Sequence, residues 1–398
     1  MLLEVPMFFK DPLFGGYCAA ISQKHNAVVI HGCAGCMNLS IDKNFQQLNI
    51  RRFRYQRDTT YLTDKNIIEG GIETLYKTIC RVFECHNPQT IIVLTNYTAE
   101  IIGDSVDSIC NKATSKLNIP VLDVQCGDLD QSFFEGYKNV LKKIICSNKL
   151  LPANDFKKLK VNIFGLYPYI DPYFHGNKIE LTNIFARLNI DINFYSGEEY
   201  SLDNIHSLLD AQLNISFGSE YHDFLDFIKN KYGIPYIEKI MYPIGINSTI
   251  KFLEEVCTFF NISILNDIDV FKKEYYGLLI DSIEELKKIQ NKSVGIIGIS
   301  PYAFGIKAFL EEELNMYASQ IYCIPTSKDN NSFDFKTISD DPILKSCDYI
   351  FGRFFEQKIF EPKSKVIPIT PVIRKKIIYP KAYIGLHGAL AIIQDMLY

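Results

Sequence analysis

Short apolar runs alternate with stretches whose apolar residues recur every three to four positions, and this rhythm narrows the fold more than any other feature of the chain. Asn26 to Ile30, Thr90 to Leu94 and Val121 to Val124 read as strands. Between them Ile68, Ile72, Leu75, Ile79 and Val82, and then Ile102, Val106, Ile109, Ala113 and Leu117, keep the helical period. Runs as continuously apolar as these belong to strands covered on both faces, as in parallel sheets joined by helical crossovers. A helix from about Phe133 to Ile145 follows, and then LLPAND, whose Pro152 and Asn154 mark a boundary.

The rhythm restarts twice. Val161 to Leu166, Ile190 to Tyr195, Leu213 to Phe217 and Ile234 to Ile237 read as strands, with helices over Ile179 to Leu188, Leu202 to Leu209 and Tyr221 to Ile228. Two bridging helices, about Thr249 to Phe260 and Val270 to Ile289, lead to VGIIGIS at 294–300. A helix ending near Asn315, strands Gln320 to Ile324 and Tyr349 to Phe351, and a last helix Ala389 to Leu397 complete the pattern. The expected fold class is α/β, with three Rossmann-like domains on mostly parallel sheets and ligands in the crevices between them. Their expected bounds are 1–155, 156–290 and 291–398, since 398 residues exceed what one core holds.

An apolar content of 47% and a charged content of 22% are those of a globular protein. A net charge of -4 gives no basic field, so nucleic acid is not expected as a partner. The opening MLLEVPMFFKDP lacks a basic n-region, and no apolar run is long enough to span a bilayer, so no membrane is expected and the default compartment is the cytoplasm. Eleven cysteines without a secretion signal then point to reduced thiols or metal ligation rather than disulfides. Cys80, Cys110, Cys146 and Cys257 lie in apolar helical patterns and read as small core residues.

The chemistry concentrates in HGCAGC, which directly follows the strand Asn26 to Ile30. A glycine-rich CxxC there sits at the carboxyl end of a parallel strand, where open α/β sheets place ligands. Iron–sulfur clusters need soft thiolate donors around tetrahedral iron. Cys33 and Cys36 can donate from one turn, Cys18 from the segment before it across Gly15 and Gly16, and Cys126 from just beyond Val121 to Val124. A redox-active dithiol, or two small residues beside a tight turn, would satisfy the same spacing.

Longer segments carry a resemblance. HGCAGC is similar to an HGPxGC segment, YTAEIIGDSVDSI at 97–109 to a CxxExIGDD segment, and VLDVQCGDLDQSFFEGYKNVLKKI to the strand, glycine loop and helix that follow it. KYGIPYIEK at 231–239, VGIIGISPYAFGIKAFLEEELNM and AYIGLHGALAIIQDM extend the likeness over almost the full chain. The family so resembled is component 1 of nitrogenase and nitrogenase-like enzymes. It takes in the molybdenum–iron protein subunits, cofactor-assembly scaffolds, the dark-operative protochlorophyllide and chlorophyllide reductases and the reductase of coenzyme F430 synthesis.

The resemblance implies an interfacial cluster held by one cysteine after the N-terminal segment, one ending HGPxGC and one opening CxxExIGDD. Cys18 and Cys36 correspond to the first two, whereas Tyr97 holds the third position, which argues against an eight-iron cluster. Cys33 replaces the family's proline. A 4Fe-4S cluster on Cys18 and Cys36, with one or both of Cys33 and Cys126, is the expected cofactor, shared between two subunits in the alternative. The cysteine and histidine that hold nitrogenase's large cofactor correspond to Ser216 and Ile384, with His387 three residues later, so such a cofactor site is not expected.

By the same resemblance the partners are a homologous or identical component 1 subunit and a homodimeric iron protein. The iron protein, not this chain, would use ATP to deliver low-potential electrons. The expected function is that of an iron–sulfur subunit in a nitrogenase-like reductase; a metallocofactor assembly scaffold or a non-catalytic structural partner are the alternatives. His31 could bond a cluster sulfur or simply close its strand, and His387 could face a ligand or start a helix. Arg51, Arg52, Arg54 and Arg57, with Lys43, could neutralise an anionic rim. Gly295, Gly298 and Gly305 do not form GxGxxG, so NAD is not assigned.

Overall fold

The computed structural model describes residues 10–37, 41, 57–147, 158–167, 170–200, 206–324, 335–353, 359–361, 363–369 and 380–398. Three four-stranded sheets organise them. The first holds β1 (Asn26–His31), β2 (Arg57–Thr59), β3 (Thr90–Thr95) and β4 (Val121–Gln125) in the order β2-β1-β3-β4. The second holds β5 (Leu159–Phe164), β6 (Ile190–Tyr195), β7 (Leu213–Phe217) and β8 (Tyr236–Lys239), and the third β9 (Ser293–Gly298), β10 (Tyr317–Cys323), β11 (Tyr349–Gly352) and β12 (Lys365–Pro368). Both repeat the first order, β6-β5-β7-β8 and β10-β9-β11-β12, and every pairing is parallel.

This order makes the chain reverse its direction of travel between the first and third strands of each sheet, and that reversal opens a crevice beyond their carboxyl ends. In the first sheet β1 pairs with β3 from Asn26 opposite Thr90 to His31 opposite Thr95, so the HGCAGC turn emerges at the crevice. All residues of β1 and β3 are buried, as strands with helices on both faces require. One apolar core runs through all three units, and smaller cores back the first and third sheets.

Two strands lack the apolar signature. β2 is Arg-Asp-Thr, set in register against Val28 to Ile30 and tied by Asp58 to Arg81, and β12 is an edge strand of four residues ending in proline. The segment around Gly15 and Gly16, where the sequence pattern marks no element, is the helix Pro12–Ile21, capped by Asp11 with proline in its first turn. Its glycines serve packing: an added Cβ at Gly15 would overlap the Phe133 carbonyl, and one at Gly136 of the helix Phe133–Ser147 would overlap that of Pro12.

The expected helix Val270 to Ile289 is divided into Leu265–Leu279, a 3-10 turn Ile280–Ser282, and Ile283–Ile289. The expected helix Leu202 to Leu209 falls partly outside the described residues, which show a 3-10 turn over His206–Asp210. Of the cysteines read as core, Cys110 and Cys257 are buried and Cys80 is half-buried. Cys146 is exposed, because it lies past Ile145, the last buried residue of its helix. No described helix is long and apolar enough to cross a membrane.

Candidate functional site

β1 ends at His31, and the helix Ala34–Met37 starts immediately after Cys33, so the CxxC wraps the first turn of a short helix. A chain of hydrogen bonds fixes this turn from below. The Gly32 amide donates to Thr60 Oγ1 (3.0 Å), whose hydroxyl lies 3.2 Å from His31 Nδ1. His31 Nε2 lies 3.0 Å from Asp104 Oδ2, and that carboxylate also accepts the Gly71 amide at 2.9 Å. Burial lowers the His31 pKa from its ordinary value against the opposing pull of Asp104, which favours a neutral ring with one proton. A proton on Nε2 with Nδ1 as acceptor satisfies every contact. Both ring nitrogens are thereby engaged, so His31 closes the strand and braces the turn rather than pointing a donor at a cluster.

Asn96 and Glu100, not singled out from the sequence, join this turn to the next. Asn96 Oδ1 caps the helix Tyr97–Ile102 by accepting the Ala99 amide at 3.0 Å. Its carboxamide lies flat on Gly32, where an added Cβ would overlap it, and a Cβ on Gly127 would come within 2.6 Å of the Asn96 carbonyl carbon. Glu100 Oε1 accepts the Gly127 amide at 2.7 Å and the Thr95 hydroxyl at 2.6 Å. The loops of Cys33 and Cys126 therefore flank one helix start. An asparagine just before a helical run is the sequence signal that marks it.

Cys33 is half-buried just past the carboxyl end of β1, and Cys126 is buried just past that of β4. Burial, helped by Glu100 and Asp11, pushes the Cys126 thiol far above its ordinary pKa. A Cβ on Gly16 would come within 2.6 Å of Cys126 Sγ, so that thiol rests on the Gly16 flank of the helix Pro12–Ile21. Cys18 lies two residues further along. Residues two apart on a helix project to nearly opposite sides, so Cys18 does not share that flank. It is wholly enclosed in the apolar core, and its thiol is likewise raised well above the ordinary value by burial. The helix thus turns Cys18 away from the flank on which Cys126 rests.

Cys36 stands in the helix Ala34–Met37, and its side chain lies outside what is described, as do Lys43, Arg51, Arg52 and Arg54. Arg57 Nη1 donates to the Tyr17 hydroxyl at 3.4 Å. Tyr97, 48% exposed, stands at the surface rather than among the buried thiols. Among the described residues no three His, Cys, Asp or Glu side chains converge as a metal site.

Ser216 and Ile384 are fully buried, and Ser216 Oγ donates to the Gly218 carbonyl at 3.1 Å. His387 does start a helix, Gly385–Leu397, but its partner is a carboxylate: Nδ1 lies 2.8 Å from Glu180 Oε2. Glu180 Oε1 also accepts the Leu386 and His387 amides at 2.9 and 3.0 Å. The glycines at 295, 298 and 305 pack against Leu344, Ile369 and Tyr242.

The sequence model described as nitrogenase component 1 type oxidoreductase matches residues 12–397. The nitrogenase molybdenum-iron protein beta chain of Acidithiobacillus ferridurans is 24% identical over 329 residues, covering 75% of this chain and 61% of that one. The nitrogenase iron-molybdenum cofactor biosynthesis protein NifE of Methanococcus maripaludis is 23% identical over 302 residues, covering 72% and 60%. NifE of a Nostoc strain is 33% identical over 66 residues, covering 17% of this chain and 14% of that one. The chain thus spans about three-fifths or less of the length of these curated relatives. The solved structure of nitrogenase Cp1 at pH 6.5 superposes with a TM-score of 0.77 at 17% identity, over 97% of this chain and 90% of that one, and shares the fold. A match running from Pro12 to Leu397, on three parallel sheets of one strand order, makes this chain a member of the nitrogenase component 1 type oxidoreductase family.

Proposed function

We propose that the chain is an iron–sulfur subunit in the catalytic component of a nitrogenase-like reductase, with Cys33, Cys36 and Cys126 as its donors to a 4Fe-4S cluster. The observation that carries this reading is the CxxC turn at the crevice of the first sheet, braced from Thr60, His31 and Asp104. Cys18, enclosed in its helix, contributes packing. Three thiolates leave one position for a homologous or identical subunit, so the cluster is completed across an interface. Apolar side chains support a contact there: Tyr61, Ile68, Tyr97, Ile101 and Leu129 are each about half exposed or more, in segments that follow the carboxyl ends of β2, β3 and β4.

The donor chemistry fits: a buried thiol such as Cys126 resists ionisation alone, but a coordinated thiol is deprotonated by the metal. When bound, such a cluster takes up and releases single electrons at low potential, its charge spread over several irons and sulfides. The chain's own part is to hold the turn rigid, to exclude water beneath it through the helix Pro12–Ile21, and to present the apolar rim to its partner. Electrons would come from a separate homodimeric iron protein that hydrolyses ATP, in the cytoplasm.

The likeness to NifE chains favours a second reading, a scaffold that binds an iron–sulfur precursor without turnover. Protein isolated without oxygen should be brown, with iron and sulfide in near-equal amounts. Cys36→Ser should remove most of both, while Cys18→Ala should keep them; metal content unchanged in Cys36→Ser refutes the assignment. Bleaching of the absorption by the iron protein with ATP supports the reductase. A retained cluster that never bleaches supports the scaffold.

A further inference from the structure

The reversal points of the second and third sheets, where ligand crevices belong, are occupied by the chain itself. After β5, Gly165 has φ +84°, and an added Cβ would overlap the Phe217 carbonyl at the end of β7. The Tyr242 hydroxyl donates to the Gly165 carbonyl at 2.6 Å, and its ring meets that of Tyr302, just beyond β9, edge to face at 4.6 Å. The Tyr302 hydroxyl donates to Asp171 Oδ2 at 2.8 Å, and Asn177 bonds that hydroxyl at 2.6 Å while accepting the Tyr383 amide at 2.7 Å. Tyr173 stacks on Tyr383 at 3.9 Å and donates to the Pro368 carbonyl at the end of β12.

Glycines bring the two sides to backbone contact. A Cβ on Gly176 would overlap the Lys381 backbone, and one on Gly305 would come within 2.6 Å of the Tyr242 carbonyl oxygen. The rings and amides that fill this space are buried. A four-iron cluster, let alone a larger one, cannot enter without displacing several of them.

We infer that the crevice between the second and third sheets is a closed seam, and that it holds neither a metallocluster nor a substrate. The bonds just described weld the two units across it. Combined with the reductase reading, on which only this last step rests, the reacting centre lies outside this seam.

Two measurements on the full chain test the seam. Iron and heterometal are quantified in protein expressed without oxygen, in the native form and with Cys33, Cys36 and Cys126 all replaced by serine. The triple variant should fall to background; bound metal that survives in a folded variant overturns the inference. Because that variant can fail to fold, Ser216→Cys provides a second probe. Its new thiol, at the end of β7, should resist a maleimide until denaturant is added, while the exposed native thiols such as Cys146 react; peptide mapping that finds modification at residue 216 in the folded chain overturns the closed seam. An iron-free native chain, together with a thiol that stays protected in the Ser216→Cys variant, sinks the cluster reading and leaves the seam standing.

Discussion

Thr60 is the smallest side chain on which the cysteine turn depends. Its hydroxyl is buried, accepts the Gly32 amide and faces His31, so Thr60→Val leaves two buried groups unpaired. The expected loss is about 1–3 kcal/mol of stability, with lower iron retention, and Thr60→Ser should restore both. Thermal unfolding and iron content read the two effects separately. Gly15→Ala should be worse for the fold, since its methyl meets backbone rather than a side chain that can yield. The turn was legible in the sequence because glycines and cysteines cluster after an apolar strand. Thr60 was not, since its role depends on Gly32, 28 residues away, through a strand of only three residues.

At the scale of elements, asparagine ends three of the described helices. Asn87, Asn118 and Asn261 follow the helices Ile72–His86, Val106–Leu117 and Gly245–Phe260, each with φ between 44° and 55°. In that left-handed region glycine avoids the Cβ clash that asparagine tolerates. Asn118→Gly should therefore be stabilising or neutral and Asn118→Val destabilising by about 1 kcal/mol or more, as unfolding midpoints would report. The last helix is started differently, by Glu180 from a helix some two hundred residues earlier. The bond to Glu180 raises the His387 pKa, so its contribution is complete below the ordinary histidine value and is lost as pH rises through the raised one. Glu180→Gln should weaken the helix and abolish that pH dependence. Most helices and all fully buried strands were legible from periodicity. The helix Pro12–Ile21 was not, because paired glycines signal a turn by propensity while the tight crossing with Phe133–Ser147 demands them inside a helix.

Across the whole molecule, the repeated strand order follows from the βαβ rhythm, but which crevices stay open does not. That depends on side chains from 165 to 383 meeting across the seam, and neither periodicity nor local motif encodes such a meeting. Asp171 lies at its centre, facing Tyr302, Asn177 and the Tyr173 amide, and burial raises its pKa to about 7. The unfolded chain releases this proton near pH 4, as an ordinary aspartate does. Between about pH 4 and 7 the folded state therefore binds more protons, and the seam's contribution to stability declines as pH rises. Asp171→Asn should flatten that decline in a series of thermal unfolding curves; an unchanged slope would assign it to other groups. The backbone contacts at Gly165, Gly176 and Gly305 also bear on descent. A Cβ added at any of the three meets backbone at 2.6 Å or less, so each is costly to enlarge. Opening a cofactor chamber at this seam therefore takes several simultaneous changes rather than one, which makes the closure an evolutionary ratchet.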